Sequence, residues 1–529
     1  MGSIGVRSRL PERVAHAAKR LALAFLAAGL ALVAGCATTT PNTNHPRVET
    51  AALQDHESTP IGQEVARLAA LHPGRAGGFS LLPGGRQAFT ARVALAELAQ
   101  KTLDLQYFLW EPDATGRILS DRLLRAADRG VRVRILLDDV NLKQRDRSLA
   151  AFDAHPNIEI RIFNPFSTRD SHLAGFLTDF DRVNHRMHNK LMVMDNAIAI
   201  VGGRNMADAY FEVDPTSNFR DLDLAAAGPV VRDLSHVFDR FWNGPWSVPI
   251  GALRDKRSTE AELAFYRERM AHYMRTKDNY PHPIDQDVDT VKLLFSSYLR
   301  GLIWAPGRVL YDDPESIYDA RKRTLSRFIF ERVDSLQQDL LIESAYFIPL
   351  DPTVDKLHEL RVRGIQIRVL TNSLASNDVL AAFAGYSAQR EALLRAGVEL
   401  YEMRPEPGPV RKRVFGTGSK AGLHTKAMVF DRKEVFVGSF NLDPRSASIN
   451  TEAGLYVEHW LLAEQVAAYM NDGVDPENAF RVALDPEGKL FWTLSEDGQP
   501  RRFDVDPMST RWQRMQASFI RMLPIVEQL

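Results

Sequence analysis

Short apolar runs alternate with segments of helical period along most of this chain. Thr102–Leu109 (TLDLQYFL) reads as a strand, a helix follows around Gly116–Arg129, and Val131–Leu137 (VRVRILL) reads as the next strand. A helix around Arg145–Ala154 then leads to a strand at Ile158–Phe163. The series returns later in the same order. Strands are expected at Asp339–Ile348, Ile365–Leu370 and Val398–Tyr401, with helices around Pro352–Val362 and Leu380–Leu394 between them. The strand segments are short and rich in Val, Ile and Leu, as in strands buried on both faces. The pattern therefore predicts an α/β fold with mostly parallel sheets covered by helices.

The spacing of the two series is nearly constant. Tyr107 to Tyr346 spans 239 positions, Gly130 to Gly364 spans 234, and Pro165 to Pro405 spans 240. The chain thus reads as two copies of one unit, at 61–249 and 290–475. A charge-rich linker at 250–289, helical around Thr259–Arg275, is expected between them. An extension at 476–529 has Gly and Pro breaks before an amphipathic end around Trp512–Leu523.

Composition changes this picture mainly at the N-terminus. A hydrophobic share of 45% and a charged share of 25% are those of an ordinary globular chain, which excludes a polytopic membrane protein or a largely disordered one. The single cysteine excludes an intramolecular disulfide framework and a Cys-based zinc cluster. Arg7, Arg9, Arg13, Lys19 and Arg20 precede fourteen uncharged residues, Leu21–Ala34. That order is a secretory signal, and the run is short of the roughly 20 apolar residues a spanning helix needs. It ends in Leu32-Val33-Ala34-Gly35-Cys36, which resembles a bacterial lipobox. The reading is a signal peptide at 1–35, a lipidated Cys36, and a flexible tether at 36–60 rich in Thr, Asn, Pro and His. The expected location is the bacterial cell envelope, lipid-anchored and facing the periplasm. Ala37 after the cysteine favours the outer membrane over the inner. Removing 1–35 leaves 61 basic against 66 acidic residues, a net charge of −5. No broad basic surface remains, so no nucleic-acid partner is expected.

Each copy also carries His-x-Lys, then four residues and Asp: His188-Asn189-Lys190 with Asp195, and His424-Thr425-Lys426 with Asp431. The histidines are 236 positions apart, and each is followed 14 positions later by Gly-x-x-Asn: Gly202-Gly203-Arg204-Asn205 and Gly438-Ser439-Phe440-Asn441. On a strand, His, x and Lys put the imidazole and the ammonium on one face. One His-x-Lys alone is compatible with an ordinary surface strand; two at the repeat spacing, each with the same follow-up, are not. Two copies about a pseudo-twofold axis would supply two imidazoles, two ammoniums and two amides. That set suits a phosphodiester. Lys190, Lys426, Asn205 and Asn441, with Gly203 and Ser439 in the turns, would hold the non-bridging oxygens. One neutral His would attack phosphorus while the other, protonated, gives its proton to the leaving oxygen. No metal and no cofactor are called for. Asp195 and Asp431 belong to the motif and are counted among the catalytic candidates, yet seven positions past the His they face the other way, which equally fits a structural role. Asp221, Asp223 and Glu452 are better candidates to orient the imidazoles. Tyr107, Trp110, Glu111 and Tyr346 are candidates for the mouth or, equally, for core aromatics with an exposed Glu. The apolar segments Leu173–Leu177 and Leu302–Trp304 are candidates for lipid contact or core.

The duplicated motif resembles the signature of the phospholipase D superfamily, over roughly residues 80–470. That resemblance implies two tandem α/β domains, each a mixed sheet flanked by helices, with the active site at their junction. It also implies a covalent phosphohistidine, with His188 as nucleophile and His424 as general acid, although symmetry permits the reverse. The blocks His155–Ser167, Arg186–Lys190, Val201–Asn205, Asp208–Phe211 and Asp221–Asp223 look like the bacterial cardiolipin synthase C group. That likeness implies a phosphatidyltransferase acting on phosphatidylglycerol and phosphatidylethanolamine at a membrane surface. A phospholipase D-type hydrolase, a nuclease and a non-catalytic lipoprotein are the other readings.

Overall fold

The computed structural model describes residues 46–142, 145–167, 169, 172–254, 258–276, 288–406, 419–496, 498–523 and 528. Cys36 and the expected signal segment lie outside these residues. The part of the expected tether that is described is packed, not free. Ala52 donates its N–H to Asp239 (2.8 Å), Arg134 reaches the carbonyl of Thr50 (2.9 Å), and the Trp242 indole donates to the Thr50 hydroxyl (2.9 Å).

Two large mixed sheets carry the fold. The first has nine strands in the spatial order Ile303–Ala305, Gly77–Leu82, Asp223–Ala227, Ile198–Gly202, Leu191–Met194, Thr102–Tyr107, Arg132–Asp138, Ile158–Phe163 and Ser247–Pro249. The second has ten: Gly307–Tyr311, Ala453–Glu458, Glu434–Gly438, Lys426–Phe430, Asp339–Ser344, Gln366–Asn372, Glu399–Met403, Ala479–Leu484, Leu490–Glu496 and Gln499–Phe503. The expected strands and helices of both series are present with shifted ends. The expectation of mostly parallel strands needs correction. Only three consecutive strands per sheet run parallel, such as Thr102–Tyr107, Arg132–Asp138 and Ile158–Phe163. The motif strands and their returns are antiparallel hairpins. They read as continuous apolar runs because both their faces are buried, and periodicity cannot tell that from a parallel strand.

The repeat register also shifts. Gln106 sits opposite Leu191, three residues past His188, and Glu343 sits opposite Ala427, three past His424. Gln106 and Glu343 are therefore equivalent, 237 apart. Tyr107 and Tyr346 are not equivalent.

The sheets pack on one another through small branched side chains. Val193, Val201 and Leu224 meet Val429, Val437 and Leu455 in one core. Helices Pro229–Trp242 and Trp460–Gly473, which follow equivalent strands, close the same core with Val230, Leu234, Phe238, Leu462 and Val466. This joint is a hydrophobic core rather than a loose domain contact. The change of sheet falls at Pro306: Ile303–Ala305 pairs with the first sheet and Gly307–Tyr311 with the second. It does not fall within 250–289. The helix expected there spans Glu260–Arg275, started by a capping box between Thr259 and Glu262. The expected extension from 476 instead adds three strands to the second sheet before the helix Arg511–Arg521.

Candidate active site

His188 and His424 lie just before their strands, which begin at Leu191 and at Lys426. Both lead-ins are extended and both pair across the two halves. Lys420–Leu423 runs parallel to Ser217–Arg220, with Leu423 opposite Arg220. Met187 forms a parallel bridge with Thr451. The next residue on each side of these two pairings is a histidine and an acid. His424 therefore meets Asp221, and His188 meets Glu452. The distances are 2.7 Å from His424 Nδ1 to Asp221 Oδ2, and 2.9 and 3.1 Å from His188 Nδ1 to the two Glu452 oxygens. Each half supplies the acid that orients the other half's imidazole. Both acids are within 1% of full burial.

A carboxylate at Nδ1 fixes the tautomer and leaves Nε2 for chemistry. Lys190 Nζ folds back to the His188 carbonyl at 2.5 Å and Lys426 Nζ to the His424 carbonyl at 2.6 Å, and Lys426 Nζ lies 3.1 Å from His424 Nδ1. Lys190 and Lys426 each act on both imidazoles, so the four charged or titratable groups are electrostatic neighbours. Burial and the two lysines hold both imidazoles well below the ordinary histidine pKa, hence neutral. Burial brings Lys190 down to about 7, and burial pushes Glu452 up to about 7. Lys426 is shifted down and Asp221 up, chiefly by burial.

The supporting residues divide. A Cβ on Gly203 would stand 2.1 Å from Asp221 Oδ1, so only glycine leaves room for that carboxylate. At the equivalent position Ser439 donates its hydroxyl to Glu452 and sets its carbonyl 3.2 Å from His188 Nδ1. Asn205 is a wall residue: its oxygen accepts from the Leu109 N–H (3.2 Å) and its amide donates to the Tyr210 hydroxyl (3.0 Å). Asn441 is buried, and its Oδ1 has no partner among the described residues.

One expectation is corrected, and three that were left open resolve towards a structural role. Asp223 orients no histidine; it is buried against Arg92 (2.9 Å) and Arg204 (3.3 Å). Asp195 accepts the backbone N–H groups of Gln100, Lys101 and Thr102, and Asp431 those of Gln337, Gln338 and Asp339. The motif aspartates thus tie the far hairpin end to the start of the neighbouring strand, away from the imidazoles. Tyr107 is core, held by Arg92 at 3.0 Å. Trp304 is in a strand and stacks on His72, so Leu302–Trp304 is packing rather than lipid contact.

Glu111 pairs with Arg145, and the Tyr346 phenol donates to Asp378 at 3.0 Å. Three aromatic neighbours escaped the sequence reading as site residues. Phe108 stands edge-on to His188 and Tyr210 edge-on to His424, each at 4.9 Å between centroids, with Phe219 at 5.3 Å from His424. They line an apolar wall that desolvates the imidazoles. Tyr210 lies in the block Asp208–Phe211 already singled out, which was the available signal.

The comparisons with known proteins agree with this geometry. The family model described as "Cardiolipin synthase, PLD-like domain" matches residues 93–242 and 329–473. The chain is 38% identical over 483 residues to cardiolipin synthase C of Escherichia coli K12, covering 88% of this chain and 98% of that protein. It is 27% identical over 406 residues to cardiolipin synthase A of Pseudomonas putida GB-1, covering 77% and 70%. Among solved structures, phosphatidylserine synthase of Haemophilus influenzae matches with a TM-score of 0.56 at 14% identity, over 88% of this chain and all 100% of that one, a likeness of fold. One matched segment holds each His-Lys pair, and neither segment completes its own histidine, so the duplication is functional as well as historical: the chain belongs to the cardiolipin synthase, PLD-like domain family and is an enzyme of the phospholipase D superfamily.

Proposed function

We propose that the enzyme is a phosphatidyltransferase that moves a phosphatidyl group from one glycerophospholipid to the headgroup hydroxyl of another, through a phosphohistidine. The observation that carries this reading is the crossed pair of imidazoles, each held at Nδ1 by the other half's carboxylate, beside two buried lysines. The named relatives, cardiolipin synthases C and A, support the substrate class.

The diester phosphate would enter between Lys190 and Lys426. Its negative charge offsets theirs and removes the main electrostatic reason, besides burial, for both imidazoles to stay neutral. One of them, assigned to His424, then takes up a proton. His188 Nε2 attacks phosphorus. The P–O bond to the departing headgroup breaks, and His424 gives its proton to that oxygen. In the second step neutral His424 takes the proton of the acceptor hydroxyl, whose oxygen attacks phosphorus as the P–N bond to His188 breaks. The lysines stabilise the charge on the non-bridging oxygens in both steps. Phosphatidylglycerol and phosphatidylethanolamine are the proposed substrates. The test supplies both lipids in mixed micelles to the purified protein. The expected product is cardiolipin, lost in His188→Ala and in His424→Ala; phosphatidic acid alone would replace this reading with a hydrolase.

The proposed location is the bacterial envelope, most simply the outer membrane, with Cys36 lipidated. Incorporation of labelled palmitate in cells, abolished by Cys36→Ser, is the expected result.

A further inference from the structure

The C-terminal helix Arg511–Arg521 packs against helix Leu380–Arg395 of the second half and buries Ala517. The side turned away from that packing is apolar. Trp512, Met515, Phe519 and Met522 recur at spacings of three and four, one stripe along the helix, and are 61%, 55%, 59% and 74% exposed. Leu523 continues the stripe. A stripe of this size is unusual on a globular surface, where large apolar residues are exposed singly.

The charges within the helix's own segment have one sign. Between Pro507 and Leu523 the sequence holds Arg511, Arg514 and Arg521 and no acid, in a chain whose net charge is −1. Arg511 and Arg521 are exposed beside the stripe. Aromatic and aliphatic groups on one face with arginines beside them are the features of a helix that lies in the headgroup layer of an anionic bilayer.

The end of the helix is also within chain reach of residues that neighbour the active site. Four residues lie between Leu523 and Gln528, five Cα steps, so the two lie within about 18 Å. Gln528 accepts from the Asn184 side-chain amide at 3.0 Å, and its carbonyl accepts from Arg445 at 3.3 Å. Arg445 is one of the cations that depress His188. The partner helix Leu380–Arg395 begins two residues after Asp378, which accepts from the phenol of Tyr346, a candidate for the mouth.

We infer that helix Arg511–Arg521 is an interfacial anchor that seats the active-site mouth on an anionic phospholipid bilayer, in addition to any lipid on Cys36. This inference rests on the proposed lipid substrate and concerns how the site meets it. The chain's only cysteine makes the test clean. In full-length protein carrying Cys36→Ser, a polarity-sensitive fluorophore is placed at Met515→Cys, with Val362→Cys, exposed at 75% on another helix, as the control position. Vesicles contain phosphatidylglycerol and phosphatidylcholine with a spin-labelled lipid quencher. The expected result is a blue shift and quenching at position 515 but not at 362, weaker in vesicles of phosphatidylcholine alone. Trp512→Ser with Phe519→Ser should lower vesicle partitioning about tenfold or more. A water-exposed probe at 515 in the presence of vesicles overturns the inference. So does a probe already shielded before vesicles are added, since a second copy or another segment of the chain then covers the stripe. Turnover of a dispersed short-chain phospholipid reads the chemistry separately: insertion without turnover would sink the proposed function and spare the anchor, and turnover without insertion would do the reverse.

Discussion

Two carboxylates decide how the residues of the site behave. Glu452→Gln keeps the shape but removes the charge that holds His188, so kcat should fall about a hundredfold or more with little change in thermal unfolding. Asp221→Asn should do the same through His424. Gly203→Ala tests the second pair from the other side: its Cβ would displace the Asp221 carboxylate. Steady-state kinetics beside a melting curve should show activity falling far more than stability. The pH profile follows from the same groups. Glu452, pushed up to about 7, loses its charge as pH falls, and Lys190, brought down to about 7, loses its charge as pH rises. The profile of kcat/KM should therefore be a narrow bell near neutrality, with limbs belonging to the coupled pair. A bound phosphate anion raises the affinity of Lys190 for its proton, so the alkaline limb should lie higher in kcat than in kcat/KM. An alkaline limb that does not move between the two profiles would argue that Lys190 does not meet the phosphate. The imidazoles and ammoniums were legible in the sequence because their spacing is duplicated. The acids were legible only as candidates, since nothing local says which acid reaches which histidine.

At the scale of elements, the motif aspartates show how a repeated residue can be structural. Asp195 and Asp431 both sit in turns with positive φ (50° and 51°) and tie the next strand's first N–H groups. Asp195→Ala strands three backbone donors and should cost about 2 kcal/mol of stability, while the kcat of the folded fraction stays near that of the parent. Chemical denaturation and active-site titration separate the two. Asp431, held below its ordinary pKa by backbone N–H groups and Arg332, contributes stability above the unfolded carboxylate pKa that is lost as pH falls through its lowered folded value. The parity of a strand forecast this outcome, because a residue seven past the histidine faces the opposite side. Parity did not forecast the antiparallel hairpins or the strands after Pro476. Buried hairpin strands look like parallel ones, and Ala479–Leu484 joins its sheet through a partner some eighty residues away in sequence.

For the whole molecule, the crossing of acids and histidines makes the two halves one catalytic unit. Both pairings arise within one chain, through Leu423 opposite Arg220 and Met187 opposite Thr451. Mixing purified His188→Ala with purified His424→Ala should therefore restore no activity, whereas recovery of activity would mean that halves exchange between chains. Duplication, and a site at the junction, could be read from the two motifs. The extent of the joint could not, because the core that welds the sheets is built from Val, Leu and Ala that look like any other strand residues. The central claim is that the junction makes a covalent bond to phosphorus. Its most direct measurement is rapid acid-free quenching of the enzyme with phosphorus-labelled phosphatidylglycerol, followed by peptide mapping. The account predicts a base-stable, acid-labile phosphorus–nitrogen bond on His188 in the parent enzyme, absent in His188→Ala, with both its formation and its decay slowed in His424→Ala. Turnover with no phosphorus bound to the protein at any time would contradict it.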